Sequence, residues 1–318
     1  MKGIKRTLVT GGNGFVGAAV LARLQEDGIP AQGVVRSQAP PPACVTGPAL
    51  EQGADWGPLL EGCGTLIHTA ARVHVVDVAA SPATTLAAYR AVNVDGTLQL
   101  AREAAAAGVR RFVFLSSIKV NGEYSATERP FEADDVPAPE GPYAVSKAEA
   151  EAGLMELATA TGMEIVIIRP PLVYGPGVKA NFLSMMHWLQ RGLPLPLGAV
   201  THNRRSLVAM DNLVDLIVVC SSHPAAANQV WLAGDGEDLS TTDLLRRLAS
   251  AMRVPARLVP IPPRLLMFAA ALLRVRPMMK RLCSNLQVDL SKTHDLLGWQ
   301  PPISVDEGLR RAAASLRK

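Results

Sequence analysis

Long apolar runs, paired cysteines and aromatic side chains are all scarce in this 318-residue sequence. The longest uninterrupted apolar run, residues 265–273, is far too short to cross a bilayer as a helix. The four cysteines are scattered, without a Cys-x-x-Cys pair or a histidine at ligand spacing, so we expect free thiols and no metal site. The chain opens on a strand pattern and not on a signal peptide. Together these absences predict a cytoplasmic protein with no stable membrane insertion.

Positive charge is in slight excess and is unevenly placed. The formal net charge is +4, and from residue 251 onward there are 12 Lys and Arg against 4 Asp and Glu. A nucleic-acid-binding protein would interleave a basic stripe with aromatic side chains, which make up only 4% of this chain. Solvated helix faces explain most of the excess, and an anionic small substrate explains it as well. We expect no nucleic-acid partner; a membrane surface is a further alternative.

A glycine-rich turn between a strand and a helix lies near the start of the chain, in residues 7–24. Gly11 and Gly12 permit a tight turn, Gly14 lets the backbone approach a pyrophosphate, and Gly17 lets the helix pack on the strand. A diphosphate would then lie on the free N–H groups at the positive end of the helix dipole. The pattern predicts the start of a dinucleotide-binding domain, against the alternative of a glycine-rich turn without a ligand.

The residues after the second predicted strand bear on the choice of cofactor. That strand, residues 32–35, ends at Arg36 and Ser37. In a dinucleotide-binding unit an acidic residue here holds the ribose hydroxyls, whereas an arginine accommodates a 2′-phosphate. Arg36 and Ser37 therefore favour NADP over NAD. The alternative is that Arg36 points to solvent and a neighbouring loop supplies the ribose contact, which leaves NAD possible.

A serine, a tyrosine and a lysine follow where open α/β sheets place their chemistry. The predicted strand 111–115 delivers Ser117 beyond its carboxyl end, and a helix carries Tyr143 and Lys147 one turn apart on the same face. A tyrosine pKa near 10 is too high for a base at neutral pH, but a lysine cation and a positive nicotinamide ring would lower it. We assign Tyr143 as general acid/base, Lys147 as its electrostatic tuner and ribose anchor, and Ser117 as donor to the reacting oxygen. Such a trio suits proton-coupled hydride transfer at a carbinol or ketone.

Regular alternation of strands and helices continues to about residue 170 and then stops. Further strands are predicted at 65–69 and 164–168, and helices at 84–107 and 143–161. Short elements rich in proline and glycine follow and indicate a second lobe. We predict an α/β fold, a doubly wound Rossmann parallel sheet with a smaller, discontinuous C-terminal substrate lobe. The dinucleotide-binding domain would comprise residues 1–170 plus about 207–233, and the nucleotide-sugar-binding lobe about 171–206 plus 234–318.

Five motifs resemble those of the extended short-chain dehydrogenase/reductase family. They are TGGNGFVG at 10–17, NVDGT at 93–97, SSIKVNG at 116–122, YAVSK at 143–147 and RPPLVYGPG at 169–177. The resemblance extends to LLGWQPPISVDEGL near the C-terminus, so it covers nearly the whole chain, and it is strongest to nucleotide-sugar epimerases and reductases of the NAD-dependent epimerase/dehydratase type. It implies a UDP-sugar substrate and a homodimer in which two long helices of each chain pair across a two-fold axis.

The cofactor contacts follow from the glycine turn, the strand ends and this resemblance. They are Gly11, Asn13, Gly14, Phe15, Val16, Gly17, Arg36, Ser37, Asp55, Trp56, Ala70, Ala71, Asn93, Tyr143, Lys147 and Pro170. The resemblance implies that Asp55 and Trp56 contact the adenine and that Asn93 supports the active-site geometry. The small side chains of Ala70 and Ala71, after a buried strand, would let a cofactor pass close.

The resemblance also implies a set of substrate contacts. They are Arg72, His74, Ser117, Lys119, Asn121, Tyr143, Asn181, Arg205 and Arg281. Asn181 and Arg205 fall where the family holds the diphosphate of a UDP-sugar, and Arg281 is a weaker candidate for the same role. An arginine makes bidentate, charge-assisted contacts to phosphate, which gives the assignment a physical reason. The alternative is a solvated charge at each arginine.

Three departures from family patterns narrow the reaction. A 4,6-dehydratase carries an Asp-Glu pair directly after the catalytic Ser or Thr, where this chain has Ile118 and Lys119. Many UDP-galactose 4-epimerases carry Asn where this chain has Leu172, and NAD-retaining epimerases carry an acidic residue in place of Arg36. We therefore expect NADPH-dependent reduction at C4 of a UDP-4-keto-6-deoxy-N-acetylhexosamine for surface polysaccharides. The alternatives are a UDP-hexose or UDP-N-acetylhexosamine 4-epimerase and, from another class, a non-catalytic redox sensor on this fold.

The segment at 264–280, RLLMFAAALLRVRPMMK, combines nine consecutive apolar residues with a basic end. We interpret it as a lobe helix buried on most sides, whose basic end completes its dipole and faces the substrate phosphates. The alternative is an amphipathic surface segment on an anionic membrane or on a membrane-bound glycosyltransferase. The first interpretation predicts that the protein ignores anionic vesicles.

Overall fold

The computed structural model describes residues 5–73, 82–273 and 275–316 and is built on a parallel sheet. The strands are β1 Arg6–Thr10, β2 Ala31–Val35, β3 Cys44–Thr46, β4 Cys63–His68, β5 Arg111–Leu115, β6 Glu164–Arg169, β7 Leu172–Tyr174, β8 Leu207–Ala209 and β9 Gln229–Leu232. Seven of them form the main sheet in the order β3-β2-β1-β4-β5-β6-β9, and β7 pairs with β8. All of these pairs are parallel.

Helices cover the sheet and build the C-terminal lobe. They are α1 Phe15–Glu26, α2 Gly57–Leu60, α3 Pro82–Arg90, α4 Thr97–Ala106, α5 Gly141–Thr161, α6 Ala180–Gln190, α7 Met210–Ser222, α8 Thr241–Met252, α9 Pro263–Leu272, α10 Arg276–Cys283, α11 Ser291–Leu297 and α12 Val305–Ser315. A helical lobe thus follows a doubly wound Rossmann sheet, which confirms the predicted fold class. In the described residues, no helix has the length and apolar character needed to cross a membrane.

The strand order reverses between β1 and β4, so the carboxyl end of β1 lies at the switch point of the sheet. Leu8 of β1 pairs with Gln32 of β2 on one side and with Leu66 of β4 on the other. Leu8 and Val9 are fully buried because helices cover both faces of the sheet. In an open α/β sheet the crevice at this point is the ligand site.

The helix predicted at 84–107 is interrupted. A π-helical segment, Ala91–Gly96, separates α3 from α4. Such segments place an extra residue in a turn and occur frequently at functional sites. The extra residue brings Asn93 inward, where it is 2% exposed. By contrast α5 runs unbroken, from Pro142 in its first turn to Gly162, whose φ of +75° ends the helix in the left-handed conformation.

The C-terminal lobe has its own core, formed largely by α6, α8 and α12. The predicted boundary at about residue 207 cuts through the smaller sheet, because β8 pairs with β7 and not with the main sheet. The chain returns to the main sheet through α7, which packs on α1, and then through β9. The domain limits stay predictions with this adjustment.

The interpretation of 264–280 as a helix buried on most sides is wrong. In α9, Leu266 and Ala270 are buried, whereas Leu265, Phe268 and Leu272 are 59%, 67% and 71% exposed. A ten-residue helix lying on the edge of the lobe buries only the face turned to the core. Its outer face is equally apolar and meets no other described element.

Candidate active site

The turn after β1 is shaped so that only glycine fits at two positions. Gly11 has a φ of +71°, which side-chain-bearing residues rarely adopt. A Cβ atom on Gly17 would lie 2.2 Å from the carbonyl oxygen of Gly11. The N–H groups of Gly11 and Gly12 donate to the Val34 carbonyl oxygen at 3.0 and 3.2 Å. The helix begins just after Gly14, so the first N–H groups of α1 point to the switch point, and this cradle fits the diphosphate of a dinucleotide.

The residues expected around the adenosine differ in exposure. Arg36 and Ser37 are exposed directly after β2, and the Ser37 carbonyl oxygen accepts from the Thr46 hydroxyl at 2.7 Å. Asp55 is exposed, whereas Trp56 is 2% exposed and packs in the core beneath the sheet. The Trp56 amide N–H donates to Glu103 Oε2 at 2.6 Å. The structure therefore does not support an adenine contact through the Trp56 ring.

Asn93 joins the segment after β4 to the start of α5. Its Oδ1 accepts from the Arg72 amide at 2.8 Å, and its Nδ2 donates to the Arg72 carbonyl oxygen at 3.2 Å and to Ser146 Oγ at 3.0 Å. Ser146 Oγ in turn donates to the Tyr143 carbonyl oxygen at 2.8 Å. Asn93 thereby positions the first turn of α5, and the half-buried Ala70 and Ala71 precede this clamped backbone.

Tyr143 and Ser117 lie within hydrogen-bonding distance, and burial raises the pKa of Tyr143 to about 12. The hydrogen bond with Ser117 opposes this shift, and Tyr89, whose ring centroid is 6.1 Å away, adds to it. The expected lowering of the Tyr143 pKa by Lys147 is absent from the described structure. The physical reason is that the phenol is taken out of water without gaining a cation beside it. Tyr143 is therefore protonated at neutral pH in this state.

Lys147 is 1% exposed and turns its ammonium group toward the end of β5. Its Nζ donates to the Leu115 carbonyl oxygen at 2.7 Å and lies 3.9 Å from the centre of the Phe114 ring. Burial lowers the pKa of Lys147 to about 7, while the nearby Glu151 carboxylate raises it. The ammonium is held in place by a carbonyl and a π face, neither of which neutralises its charge.

Glu151, Ser116 and Arg169 form a buried network behind this lysine that the sequence analysis missed. Glu151 accepts from the Ser116 hydroxyl and from the Arg169 guanidinium, whose Nη2 lies 2.6 Å from Oε2. Arg169 also donates to Asn121 Oδ1 at 2.9 Å. Glu151 follows Lys147 by four residues and so shares its helix face, a signal that could have identified it. Arg169, on a strand 18 residues later, has no such signal.

His68 is a second missed residue. It is fully buried at the end of β4, between the hydroxyls of Thr10 at 2.6 Å and Thr97 at 3.0 Å. Burial, reinforced by the Lys147 charge, lowers its pKa to about 3, so the ring is neutral at physiological pH. Its ring stacks on Phe114, with centroids 5.8 Å apart. His68 therefore packs beneath the lysine as a neutral support.

Three predicted substrate-binding cations converge on one carboxylate. Lys119 Nζ pairs with Glu123, and Arg281 Nε lies 3.8 Å from the same carboxylate. Arg205 is partly buried and donates to the Arg281 carbonyl oxygen at 2.6 Å. Burial lowers the pKa of Arg205, with the Arg281 charge acting in the same direction and Glu123 against it. Three cations around one carboxylate leave a net positive cluster, which we call the cation cluster.

The remaining predicted substrate residues are placed differently. Asn121 is 4% exposed, and its Nδ2 donates to the Glu132 carbonyl oxygen at 2.8 Å while its Oδ1 accepts from Arg169. With both ends of its amide occupied it supports Arg169, and the expected substrate contact is not supported. Asn181 is exposed in the first turn of α6. His74 lies outside the described residues.

Two further residues complete the predicted set. The guanidinium of Arg72 lies 5.8 Å from the centre of the Tyr89 ring, and its Nε is buried without a hydrogen-bond partner among the described residues. The carbonyl oxygen of the buried Pro170 accepts from the Ile118 amide at 3.0 Å, which joins the end of β6 to the segment that carries Ser117. In the described ranges, no group of three or more His, Cys, Asp or Glu side chains could hold a metal ion.

Comparison with known proteins gives the site a context. Residues 7–234 match the model of the NAD dependent epimerase/dehydratase family. A UDP-glucose 4-epimerase of Vibrio cholerae is 48% identical over 254 residues, which are 80% of this chain and 77% of that protein. A GDP-6-deoxy-D-mannose reductase of Pseudomonas aeruginosa is 29% identical over 77% of each chain. Among solved structures, a UDP-glucuronic acid 4-epimerase of Bacillus cereus in complex with NAD superposes with a TM-score of 0.77 at 21% identity, covering 98% of this chain and 96% of that one.

Proposed function

The chain belongs to the NAD-dependent epimerase/dehydratase family of extended short-chain dehydrogenases/reductases, and we propose that it interconverts the C4 epimers of a UDP-hexose. The observation that carries the proposal is the placement of Tyr143 beside Ser117, with Lys147 behind them, at the end of a dinucleotide cradle. The 48% identity to the Vibrio cholerae enzyme supports C4 as the reacting carbon and epimerisation as the net reaction.

Tyr143 is the group that moves the proton on the sugar O4. With a pKa of about 12 it holds its proton at neutral pH, so it is ready to protonate an oxygen at which negative charge develops. Ser117 donates a hydrogen bond to that same oxygen and stabilises the charge. In the reverse direction Tyr143 takes the hydroxyl proton. The nicotinamide ring, when bound, accepts and returns the C4 hydride, and its oxidised form lowers the Tyr143 pKa by its positive charge.

Lys147 keeps this tyrosine functional in two ways. Its ammonium is anchored to the Leu115 carbonyl oxygen at 2.7 Å, so α5 is fixed relative to the end of β5. Since its pKa lies near 7, it is partly protonated under physiological conditions and its remaining donors face the ribose side of the cradle. The residues present fit a ribose hydroxyl contact there.

The cation cluster of Lys119, Arg205 and Arg281 would bind the diphosphate of the sugar nucleotide. Only Glu123 opposes the three positive charges within the cluster, and the Arg205 guanidinium is partly desolvated, which strengthens its attraction for an anion. Asn181, exposed at the start of α6, is the additional candidate. This arrangement supports UDP-sugar binding in the C-terminal lobe.

A second candidate is the reduction at C4 of a UDP-4-keto-6-deoxy-N-acetylhexosamine for surface polysaccharides. Arg36 favours it, because an exposed arginine directly after β2 accommodates the 2′-phosphate of NADP, and a net reduction draws on NADPH. We propose NADP as the preferred cofactor, with NAD possible, and the two reactions differ only in whether hydride leaves with the product. The cytoplasmic location expected from the sequence stays a prediction.

One experiment tests the proposal. The purified protein is incubated with UDP-glucose, with and without catalytic amounts of NAD or NADP, and the sugar nucleotide is followed by proton NMR. We expect UDP-galactose to accumulate with no net change in reduced cofactor. Stoichiometric oxidation of NADPH by a UDP-4-keto-6-deoxy-N-acetylhexosamine, without epimerisation of UDP-glucose, would replace the epimerase with the second candidate.

We further propose that the protein is a homodimer. The groove between α4 and α5 is lined by Leu98, Arg102, Gly153, Glu156 and Leu157, a mixed surface suited to an isologous helix-helix interface. Light scattering at micromolar concentration should give about twice the 33.7 kDa chain mass, and a mass equal to one chain would contradict this.

A further inference from the structure

The helical hairpin of α9 and α10 carries an exposed apolar ridge on the outer side of the C-terminal lobe. The two helices pack against each other. Six large apolar side chains of the hairpin are exposed, and we call them the apolar ridge: Leu265, Phe268, Leu272, Leu273, Val275 and Met278. Elsewhere in the described residues, exposed large apolar side chains are spread over the surface. A contiguous ridge of this kind marks an interaction surface.

Both faces of α9 are apolar, and only one is used for folding. Leu266 and Ala270, four residues apart, are buried, and Leu266 belongs to the core of the lobe. Leu265, Phe268 and Leu272 follow each other at intervals of three and four residues, so they share the opposite face. Keeping such residues in water brings no benefit to the folded chain. The outer face is therefore built for a partner.

The charge of the surrounding chain indicates the chemistry of that partner. Residues 244–288 contain nine Lys and Arg and not one Asp or Glu. Arg264 and Arg276, at the starts of the two helical segments, are exposed, and so is Lys280. Apolar side chains flanked by cations and free of acidic neighbours match the boundary between acyl chains and anionic headgroups.

We propose that the apolar ridge docks the protein on an anionic phospholipid bilayer, with the ridge in the headgroup region and Arg264, Arg276 and Lys280 on lipid phosphates. A second copy of the chain is a poor occupant, because an isologous contact would bring the same positive charges together. The attachment is peripheral, since the helices are ten and eight residues long. It does not depend on which reaction the enzyme catalyses.

The hairpin lies next to the cation cluster, so docking has a consequence for the site. Arg281 belongs to α10, and its carbonyl oxygen accepts from Arg205 while its guanidinium lies 3.8 Å from Glu123. A bilayer bound at the ridge would therefore lie beside the substrate lobe. Sugar nucleotides could then be delivered to an enzyme that consumes them at the same membrane surface.

Vesicle cosedimentation tests the proposal. The full-length protein is mixed, at physiological salt, with vesicles of phosphatidylglycerol and phosphatidylethanolamine, or of phosphatidylcholine alone. We expect binding to the anionic vesicles only. Phe268→Asp/Leu272→Asp and Arg264→Glu/Arg276→Glu should each reduce the ratio of bound to free protein by roughly tenfold or more. None of these residues lies in the catalytic or cofactor machinery, so turnover without vesicles should equal that of the wild type.

Matched variants away from the hairpin serve as controls. Val136→Asp/Leu296→Asp places the same charges on other exposed apolar residues, and Arg110→Glu/Arg129→Glu makes the same charge change elsewhere. Both should bind anionic vesicles as the wild type does. Absence of binding by the wild-type protein, or equal loss in hairpin and control variants, would overturn the proposal. A lower mass of Phe268→Asp/Leu272→Asp in light scattering would identify a second copy as the occupant and overturn it as well.

Discussion

Glu151 holds Arg169 through a hydrogen bond of 2.6 Å, while Lys147, one helical turn earlier, donates to the Leu115 carbonyl oxygen. The side chains of Glu151 and Arg169 are only 6% and 4% exposed. Two buried cations thus lie close to a single buried carboxylate, and the carboxylate is committed to the arginine. The lysine therefore keeps its charge available for the cradle, at the cost of a lowered pKa.

Removing the Glu151 charge should destabilise the fold markedly. Glu151→Gln leaves the Arg169 guanidinium buried without a counter-charge, which typically costs about 3 kcal/mol or more. Glu149→Gln, which breaks the exposed pair with Arg90, should cost less than about 1 kcal/mol. Denaturant unfolding monitored by circular dichroism measures both. Equal effects of the two variants would show that the buried pair has no special role.

Removing the Tyr143 hydroxyl should abolish turnover and leave binding largely intact. Tyr143→Phe takes away the proton donor and acceptor for the sugar oxygen, so kcat should fall about 10³-fold or more while KM changes little. Tyr89→Phe, in the ring adjacent to Tyr143, is the matched control and should retain most of its activity. Steady-state kinetics on the two variants tests this, and an active Tyr143→Phe would assign the proton transfer to another group.

Lys147 should trade stability for function in a pH-dependent way. Its folded-state pKa of about 7 lies below the ordinary value of 10.5, so the folded protein binds fewer protons than the unfolded chain between these values. The stability contributed by this residue is therefore lowest below pH 7 and rises as the pH increases from 7 to 10.5. Lys147→Met avoids the buried charge but loses the hydrogen bond to Leu115, so at pH 6 it should be more stable than the wild type by about 2 kcal/mol.

Thermal unfolding between pH 6 and pH 10 measures this difference, which should shrink as the pH rises. Lys179→Met, at an exposed position before α6, is the control and should show no such trend. A Lys147→Met variant less stable than the wild type at pH 6 would contradict the expected cost of the buried ammonium. Its activity should be lost in either case.

Arg36 should decide the cofactor preference. Arg36→Asp replaces a cation near the 2′-phosphate by a carboxylate suited to two ribose hydroxyls, so the ratio of NADPH to NADH affinity should fall by about 100-fold. Fluorescence titration with both reduced cofactors measures the ratio, and Arg110→Asp, far along the chain and equally exposed, should leave it unchanged. Equal affinity of the wild type for the two cofactors would remove the basis for an NADP preference.

The sequence by itself determined the elements whose signal is local. The β-branched run before Gly11, the glycine spacing and the helical period after it predicted β1, the turn and α1, because neighbouring residues alone set these dihedral preferences. The four-residue interval from Tyr143 to Lys147 likewise placed both on one face of α5. The fold class followed from the alternation of such elements.

Only the tertiary structure decided how distant side chains share charge and space. Arg169 reaches Glu151 from a separate strand, and Asn93 turns inward through a π-helical segment that no period revealed. The pKa of Tyr143 rises and does not fall, because burial depends on every element packed around the phenol. For the same reason the apolar run of α9 could be read from the sequence, but which of its two apolar faces meets the core could not, since an apolar pattern does not state what covers it.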